Sequence, residues 1–384
     1  MNIQNIFRQL YESEPLVVRA PGRINLIGEH LDYNGGLVLP AAISFYTTVA
    51  VGHRPDNRIS LFSMQLGEQV EFSFADIRPR RGEWFNYVLG VVNQLQQRGQ
   101  EMSGFNMVID GNVPIGAGLS SSASLASAAL LALQENFGWD IPRLELALMA
   151  QAAEHQYAGV TCGIMDIYAS FFGLEDHALL LNCRLLEHTP TPLSLGAYRI
   201  VCYNTNVKHN LSGSAYNQRR EECAQGLEWI QEYYPEVPQL AAASIEQVTQ
   251  CIQPRDFYVY QRCRYVVEEQ ARVHAACTAL KENDLEMTGQ LLYHTHRGLR
   301  RLYEVSCLEL DFLVEGVRHQ PGVLGARMMG GGFGGCTINL IHQNQIEAVT
   351  SQLSAMYLRK LGKRLDAHIA TIAGGASIIQ PQLH

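Results

Sequence analysis

The sequence predicts an α+β protein of two lobes, and three observations carry that expectation. Strand-like and helix-like segments are mixed through the first half of the chain. From about residue 213 the balance tips towards helix. Between these regimes lies a Pro/Thr-rich stretch at 188–193, HTPTPL, which reads as the joint. At 384 residues the chain has ample material for two domains, expected at 1–190 and 191–384. A cleft between two such lobes is the default place for a site.

Taken in order, residues 16–20, 45–52, 70–74 and 105–109 have the β-branched and aromatic character of strands. Residues 83–99 and 142–157 read as amphipathic helices. The second has Pro142 at its first position and Gly159 beyond its end. An Ala/Leu-rich helical segment occupies 125–133. In the second half, 214–233, 256–281 and 285–303 carry apolar residues at helical spacing. A strand–loop–strand unit returns at 325–341, and a helix follows at 346–361.

Composition narrows the function classes. Hydrophobic residues at 47% and charged residues at 17% are those of an ordinary soluble globular protein. A net charge of −8, without any Lys/Arg run, argues against a nucleic-acid partner. No apolar run approaches membrane-spanning length, and the polar start MNIQNIFRQLYESE has no signal core, so no membrane partner is expected. The nine cysteines are scattered without a C-x-x-C pair, which reads as reduced cytoplasmic thiols rather than a zinc site or disulfide frame. An acidic protein that handles phosphates must concentrate positive charge in its site or borrow a metal ion.

Four segments carry chemistry. Residues 114–124, PIGAGLSSSAS, set two glycines and four serines directly ahead of the helix at 125–133. Such a loop before a helix N-terminus is an anion site, because free N–H groups and the positive dipole end face the ligand. It is not a Walker A loop, since no Gly-Lys-Ser/Thr follows. A plain helix cap is the alternative. Residues 21–40, PGRINLIGEHLDYNGGLVLP, place Arg23, Glu29, His30 and Asp32 around the apolar Ile24, Leu26 and Ile27. The backbone is thereby anchored in a core while polar heads converge, as a hydroxyl-rich ligand requires. In residues 162–173, CGIMDIYASFFG, Asp166 is the only charged group. It either caps a helix starting at Ile167 or serves as a partly desolvated proton acceptor. Glu154 lies near a helix C-terminus, where the dipole disfavours it; it is either solvated or neutralised by a cation such as Mg²⁺. Five glycines within residues 330–335, GGGFGG, indicate a backbone path packed against a ligand or a second glycine loop. A strand follows them, so they are not the dinucleotide-binding βαβ fingerprint.

With these segments in this order, the chain resembles the GHMP small-molecule kinases and, within them, the galactokinases. The resemblance rests on Gly22-Arg23-Ile24-Asn25-Leu26-Ile27-Gly28-Glu29-His30 with Asp32-Tyr33-Asn34, on 116–124, and on 330–335. Trp84 with Asn86-Tyr87, Gly163-Ile164-Met165-Asp166, and 214–220 with Tyr216 extend it over nearly the whole chain. It implies an N-terminal lobe like ribosomal protein S5 and a ferredoxin-like C-terminal lobe, with ATP in the cleft. The implied reaction is ATP-dependent phosphorylation of the anomeric hydroxyl of galactose. Gly116, Ala117, Gly118, Leu119, Ser120, Ser121 and Ser122 would wrap the ATP phosphates. Ser122 with Glu154 would hold Mg²⁺, Asp166 would be the base, and Arg23 would offset charge beside it. Glu29, His30, Asp32, Tyr216 and Gly163 would bind the sugar, with Trp84 and Ser63 on the adenine side. The partners implied are a sugar and Mg-ATP, and the expected state is a monomer.

Three departures stand out. Leu31 replaces the threonine common in galactokinases, Ile167 replaces the glutamine usual after the aspartate, and 367–384 match loosely. Because Leu31 neighbours the sugar residues, N-acetylgalactosamine or another galactose-like hexose stands behind galactose as the expected substrate. A non-catalytic sugar and ATP sensor is the reading from another class. The intact Ser120-Ser121-Ser122-Ala123-Ser124, Arg23 and Asp166 weigh against it.

Overall fold

The computed structural model describes residues 2–114, 116–159, 162–207 and 212–380. In the first half, α1 (Ile3–Tyr11) leads to β1 (Leu16–Asn25), β2 (Leu37–Val38), β3 (Pro40–His53), β4 (Arg58–Ser63) and β5 (Glu68–Ser73). Then come α2 (Asn86–Gln97), β6 (Phe105–Gly111), α3 (Ser121–Phe137), α4 (Arg143–Ala153), α5 (Met165–Phe172), β7 (His177–Asn182) and β8 (Glu187–Pro192). The second half holds β9 (Tyr198–Asn204), α6 (Ser212–Gln231), α7 (Ile245–Cys251), α8 (Phe257–Lys281), α9 (Leu285–Gly298) and α10 (Leu308–Val317). It closes with β10 (Val323–Met328), β11 (Cys336–His342), α11 (Ile346–Leu361), β12 (Asp366–Ala370) and β13 (Ser377–Ile378).

A six-stranded sheet, ordered β13-β1-β3-β6-β4-β5, supports the first lobe; only β4 and β6 run parallel. Helix α3 is its central helix. Ala123, Ala126, Ala128 and Ala129 are all buried, and their small side chains let it lie close on β1 and β3 among α2, α4 and α5. The second lobe has β9 and β12 either side of a helix-rich excursion, ordered β10-β11-β9-β12 and wholly antiparallel. With helices before β10 and between β11 and β12, this is the split βαβ arrangement of a ferredoxin-like sheet.

Several expectations need revision. The stretch 188–193, read as a joint, is largely β8, paired with β7 at the edge of a three-stranded sheet. Pro190 and Pro192 are tolerated there because an edge strand leaves one side of its backbone unpaired. The tail does not stay with the second sheet either: β13 pairs with β1, and Ala373 donates to the Ala42 carbonyl. The helix expected at 142–157 is α up to Ala153 and then widens into a π turn, Glu154–Ala158, before Gly159. Likewise 285–303 becomes α9 followed by a second π turn, Leu299–Tyr303. The nine cysteines are unpaired thiols. Among the described residues no helix is long and apolar enough to cross a membrane.

Candidate active site

A cleft of about 530 Å³ opens between the lobes, lined by parts of all four chemistry-bearing segments. From the first segment come Arg23, Glu29, His30 and Asp32; the serine loop gives Gly116, Gly118, Leu119 and Ser120–Ser122. Gly163 and Asp166 form another wall, and Tyr216 with Gly330–Gly332 closes the far side. Ala117 is fully buried behind the serine loop.

Asp166 is the focus of this arrangement. Arg23 donates to both of its carboxylate oxygens, Nε to Oδ1 at 2.9 Å and Nη2 to Oδ2 at 2.8 Å. The Ser120 hydroxyl donates to Oδ2 at 2.6 Å. Arg23 is 5% exposed and Asp166 26%, so the cation is held inside while the carboxylate keeps an open side on the cleft. The capping alternative for Asp166 fails, because α5 starts at Met165 and the side chain turns to Arg23 instead.

The serine loop reaches Asp166 through an unusual backbone. Ser120 adopts φ 62°, so its hydroxyl leaves the helix it precedes and no side chain caps α3. The uncapped start of α3 lines the cleft through Ser121 and Ser122, where a helix N-terminus offers its free N–H groups to an anion. The loop is fixed from behind: Ser124 donates to the Ala20 carbonyl at 2.7 Å, and Arg23 N–H to the Leu119 carbonyl at 3.1 Å. The third-segment glycines lie directly against it. A Cβ on Gly335 would stand 3.7 Å from the Ala117 carbonyl oxygen, and one on Gly118 3.7 Å from that of Met329. The reading of two apposed glycine loops thus holds.

The expected sugar residues converge at the other end. Glu29 is 2% exposed; its Oε1 accepts from Arg327 Nη1 at 3.1 Å and from the Gly330 N–H at 2.8 Å, joining the first and third segments. His30 sits at φ 64° with its Nδ1 2.8 Å from the Tyr33 hydroxyl, while its buried Nε2 has no hydrogen-bond partner among the described residues. Burial, followed by the charge of Arg219, lowers its pKa to about 3, so the ring is neutral. The carboxyl of Asp32 is pushed up to about 7, chiefly by burial and then by the negative charge of Asp166. Gly163 must be glycine here: an added Cβ would lie 1.6 Å from Asp32 Oδ2. Tyr216 brings its ring to 5.5 Å from that of His30.

Glu154 is buried at 3% exposure, which overturns the solvated reading. Its Oε2 accepts from the Cys162 thiol at 3.0 Å, whereas Oε1 is shielded and has no hydrogen-bond partner among the described residues. Burial pushes this carboxyl up to about 6, an effect partly offset by the Cys162 thiol and the neighbouring Ser122 hydroxyl. A buried carboxylate oxygen without a donor, beside a serine hydroxyl, suits Mg²⁺, which takes one or two protein oxygens and fills the rest with water and phosphate. Among the described residues no cluster of three or more His, Cys, Asp or Glu side chains offers an all-protein metal cage.

Trp84 and Ser63 do not line the cleft. Trp84 Nε1 donates to Glu68 on β5 at 3.0 Å, and the Ser63 hydroxyl accepts from the Leu66 N–H. Leu31, expected beside the sugar, is fully buried in the core and does not line the cleft either. Conversely, sequence reasoning passed over a relay behind His30. Tyr33 and Tyr303 hydroxyls are 2.8 Å apart, and Cys223 stands 3.2 Å beyond. Tyr33 lay within the first segment and could have been marked. Tyr303 and Cys223 had no local signal.

Comparisons with known proteins agree with this geometry. The family profile for the galactokinase galactose-binding signature matches residues 5–53. Those for the GHMP kinases N terminal domain and the GHMP kinases C terminal match 86–174 and 276–358. A galactokinase of Thermotoga maritima is 40% identical over 351 residues, 91% of this chain and 96% of that protein. One from Clostridium acetobutylicum is 37% identical over 382 residues, 98% of this chain and 97% of its own. The crystal structure of Lactococcus lactis galactokinase complexed with galactose superposes with a TM-score of 0.93 at 36% identity, covering 98% of this chain and 99% of that one. A mevalonate kinase from Methanococcus jannaschii, at 18% identity and TM-score 0.68 over 94% of this chain and 99% of its own, shares the fold.

Proposed function

The chain belongs to the galactokinase family of the GHMP kinases, and from that premise we propose how its own residues carry out the transfer of a phosphoryl group from ATP to the anomeric hydroxyl of galactose. The observation that carries the proposal is Asp166, bracketed by Arg23 and Ser120 between an anion-binding loop and a cluster of sugar-type polar groups.

Phosphoryl transfer is served chiefly by alignment and charge stabilisation. Glu29, His30, Asp32 and Tyr216 would hold the sugar hydroxyls, with Gly163 giving Asp32 its room. The neutral His30, with Nδ1 engaged by Tyr33, leaves Nε2 to meet a hydroxyl. The α3 N-terminus and the loop from Gly116 to Ser122 would cradle the phosphates. Asp166 would accept the proton of the anomeric hydroxyl as the sugar oxygen attacks phosphorus. Arg23 fixes both carboxylate oxygens of Asp166 and adds positive charge where the transferring group gains negative charge. Ser122 and Glu154 would hold Mg²⁺, which supplies charge neutralisation between the phosphates when bound. Trp84, three residues before the cleft-lining Tyr87, and Ser63 are proposed for the adenine side. A cytoplasmic location fits nine free thiols. Because Leu31 points into the core, its substitution gives no direct reason to replace galactose by another hexose.

The test is ADP release with Mg-ATP against galactose, N-acetylgalactosamine, glucose, arabinose, fucose and no sugar. Galactose-dependent turnover is expected, falling roughly 10²–10⁴-fold in a folded Asp166→Asn variant. Turnover on a different hexose alone would overturn the substrate, and full activity of the variant would overturn the base.

A further inference from the structure

Away from the cleft, the second lobe carries a pocket of about 450 Å³ with an unusual charge balance. Arg297 from the end of α9, Arg300 and Arg301 from the π turn Leu299–Tyr303, and Arg318 just after α10 all line it, with His294 beside them. Two of these cations are neutralised. Arg300 pairs with Asp311 at 2.8 Å, and Arg318 with Glu315 at 3.1 Å. Arg297 and Arg301 are exposed, and among the described residues neither has a carboxylate or hydrogen-bond partner. Among the described residues the only acidic side chain lining the pocket is Glu315, already engaged.

A chain of net charge −8 has little general reason to gather arginines at one concavity, since scattered basic groups would pair with its excess of carboxylates. Arg297, Arg300 and Arg301, spaced three and four residues apart, share one face across the end of α9 and its π turn and so line the same pocket. Tyr293 lines the pocket with its ring, which packs under the Arg318 guanidinium 4.5 Å from its centre and holds that wall in place, its hydroxyl being turned inward and shielded. Planar guanidinium forks with free N–H donors match the oxygens of phosphate groups. The volume suits a compact small molecule rather than a polymer.

We propose that this pocket is a second anion site, distinct from the catalytic cleft, which binds a compact multivalent phosphate anion through Arg297 and Arg301. Inorganic polyphosphate and a phosphorylated sugar share that chemistry. The neighbouring His294, held low by burial and then by Arg297, Arg272 and Arg318, is a reporter for occupancy, because a bound anion would let it take up a proton more readily.

The experiment is calorimetry on the full chain with its cleft saturated by galactose and a non-hydrolysable ATP analogue. Inorganic tripolyphosphate and galactose 1-phosphate are titrated separately. Saturable binding of either at one site per chain is expected, with the preferred titrant identifying the source. Affinity should fall roughly tenfold or more in Arg297→Gln/Arg301→Gln, whose turnover stays unchanged. In the intact protein the His294 ring proton resonances should titrate at higher pH once the anion is bound. Two results would overturn the proposal: no binding beyond the cleft by either titrant, or an equal loss in the distant charge control Arg359→Gln/Lys360→Gln.

Discussion

Asp32 shows at the residue scale how burial converts an ordinary carboxyl into a pH-dependent contact. Its pKa rises from 3.8 to about 7, first through burial, then through Asp166, with the Tyr33 N–H opposing and Glu29 adding a smaller push. The folded chain therefore holds a proton on Asp32 that the unfolded chain releases. Its stabilising contribution is fully present below pH 3.8 and is lost as pH rises through about 7. A sugar whose hydroxyls donate to the carboxylate favours the ionised form and opposes that rise. Galactose binding should then tighten with pH between about 6 and 8 and release up to about one proton. Calorimetry in buffers of different ionisation enthalpy reads the release directly, and Asp32→Asn should abolish it. Buffer-independent heats in the unsubstituted protein would move Asp32 out of the sugar contacts. The chemistry of this residue was legible in sequence from its neighbours Glu29 and His30. Its raised pKa was not, since Asp166 lies far along the chain and is brought beside it only by folding.

Among the elements, two π turns interrupt what the sequence reads as continuous helices. Both fall inside segments whose apolar spacing reads as continuous helix, because one extra residue barely disturbs a hydrophobic pattern. The strand β8 was hidden by the opposite effect, its prolines outweighing a short alternation that buries Thr191. At the first π turn Glu154 comes to rest inside the protein, against Ser122 at the head of α3. Its pKa, pushed up to about 6 mainly by burial, makes any cation it holds compete with a proton. Half-maximal turnover should need more Mg²⁺ as pH falls through 6. Glu154→Gln should raise that requirement by roughly tenfold at pH 7.5 and flatten the dependence, with galactose affinity unchanged. Initial rates over a Mg²⁺ and pH grid check this. An unaltered Mg²⁺ requirement in the variant would assign Glu154 a structural role only.

For the whole molecule, the connection between lobes rests on a buried cation that no local pattern announces. Arg327 lies on β10 in the second sheet, where the sequence shows only a strand running into a glycine loop. Fully buried, it donates through Nε to the Leu26 carbonyl at 2.8 Å, through Nη2 to that of Asn25, and through Nη1 to Glu29 and to the Met328 carbonyl. The first-lobe segment leaving β1 is thus tied to the strand that launches the third glycine segment, and Glu29 closes the circuit on the Gly330 N–H. The motifs themselves were readable because each is contiguous. Their common anchor was not, because its ligands lie some 300 residues away in sequence, 301 for Leu26 and 298 for Glu29. Arg327→Met keeps the bulk but strands a buried carboxylate and three carbonyls, which costs about 3–5 kcal/mol. Urea unfolding should show that loss together with weaker galactose binding. Adding Glu29→Gln removes the stranded charge, so Arg327→Met/Glu29→Gln should regain part of the stability while sugar binding stays poor. If the double variant were instead less stable by the sum of the two single losses, Arg327 and Glu29 would be acting independently, and the clasp between the lobes would have to be sought elsewhere.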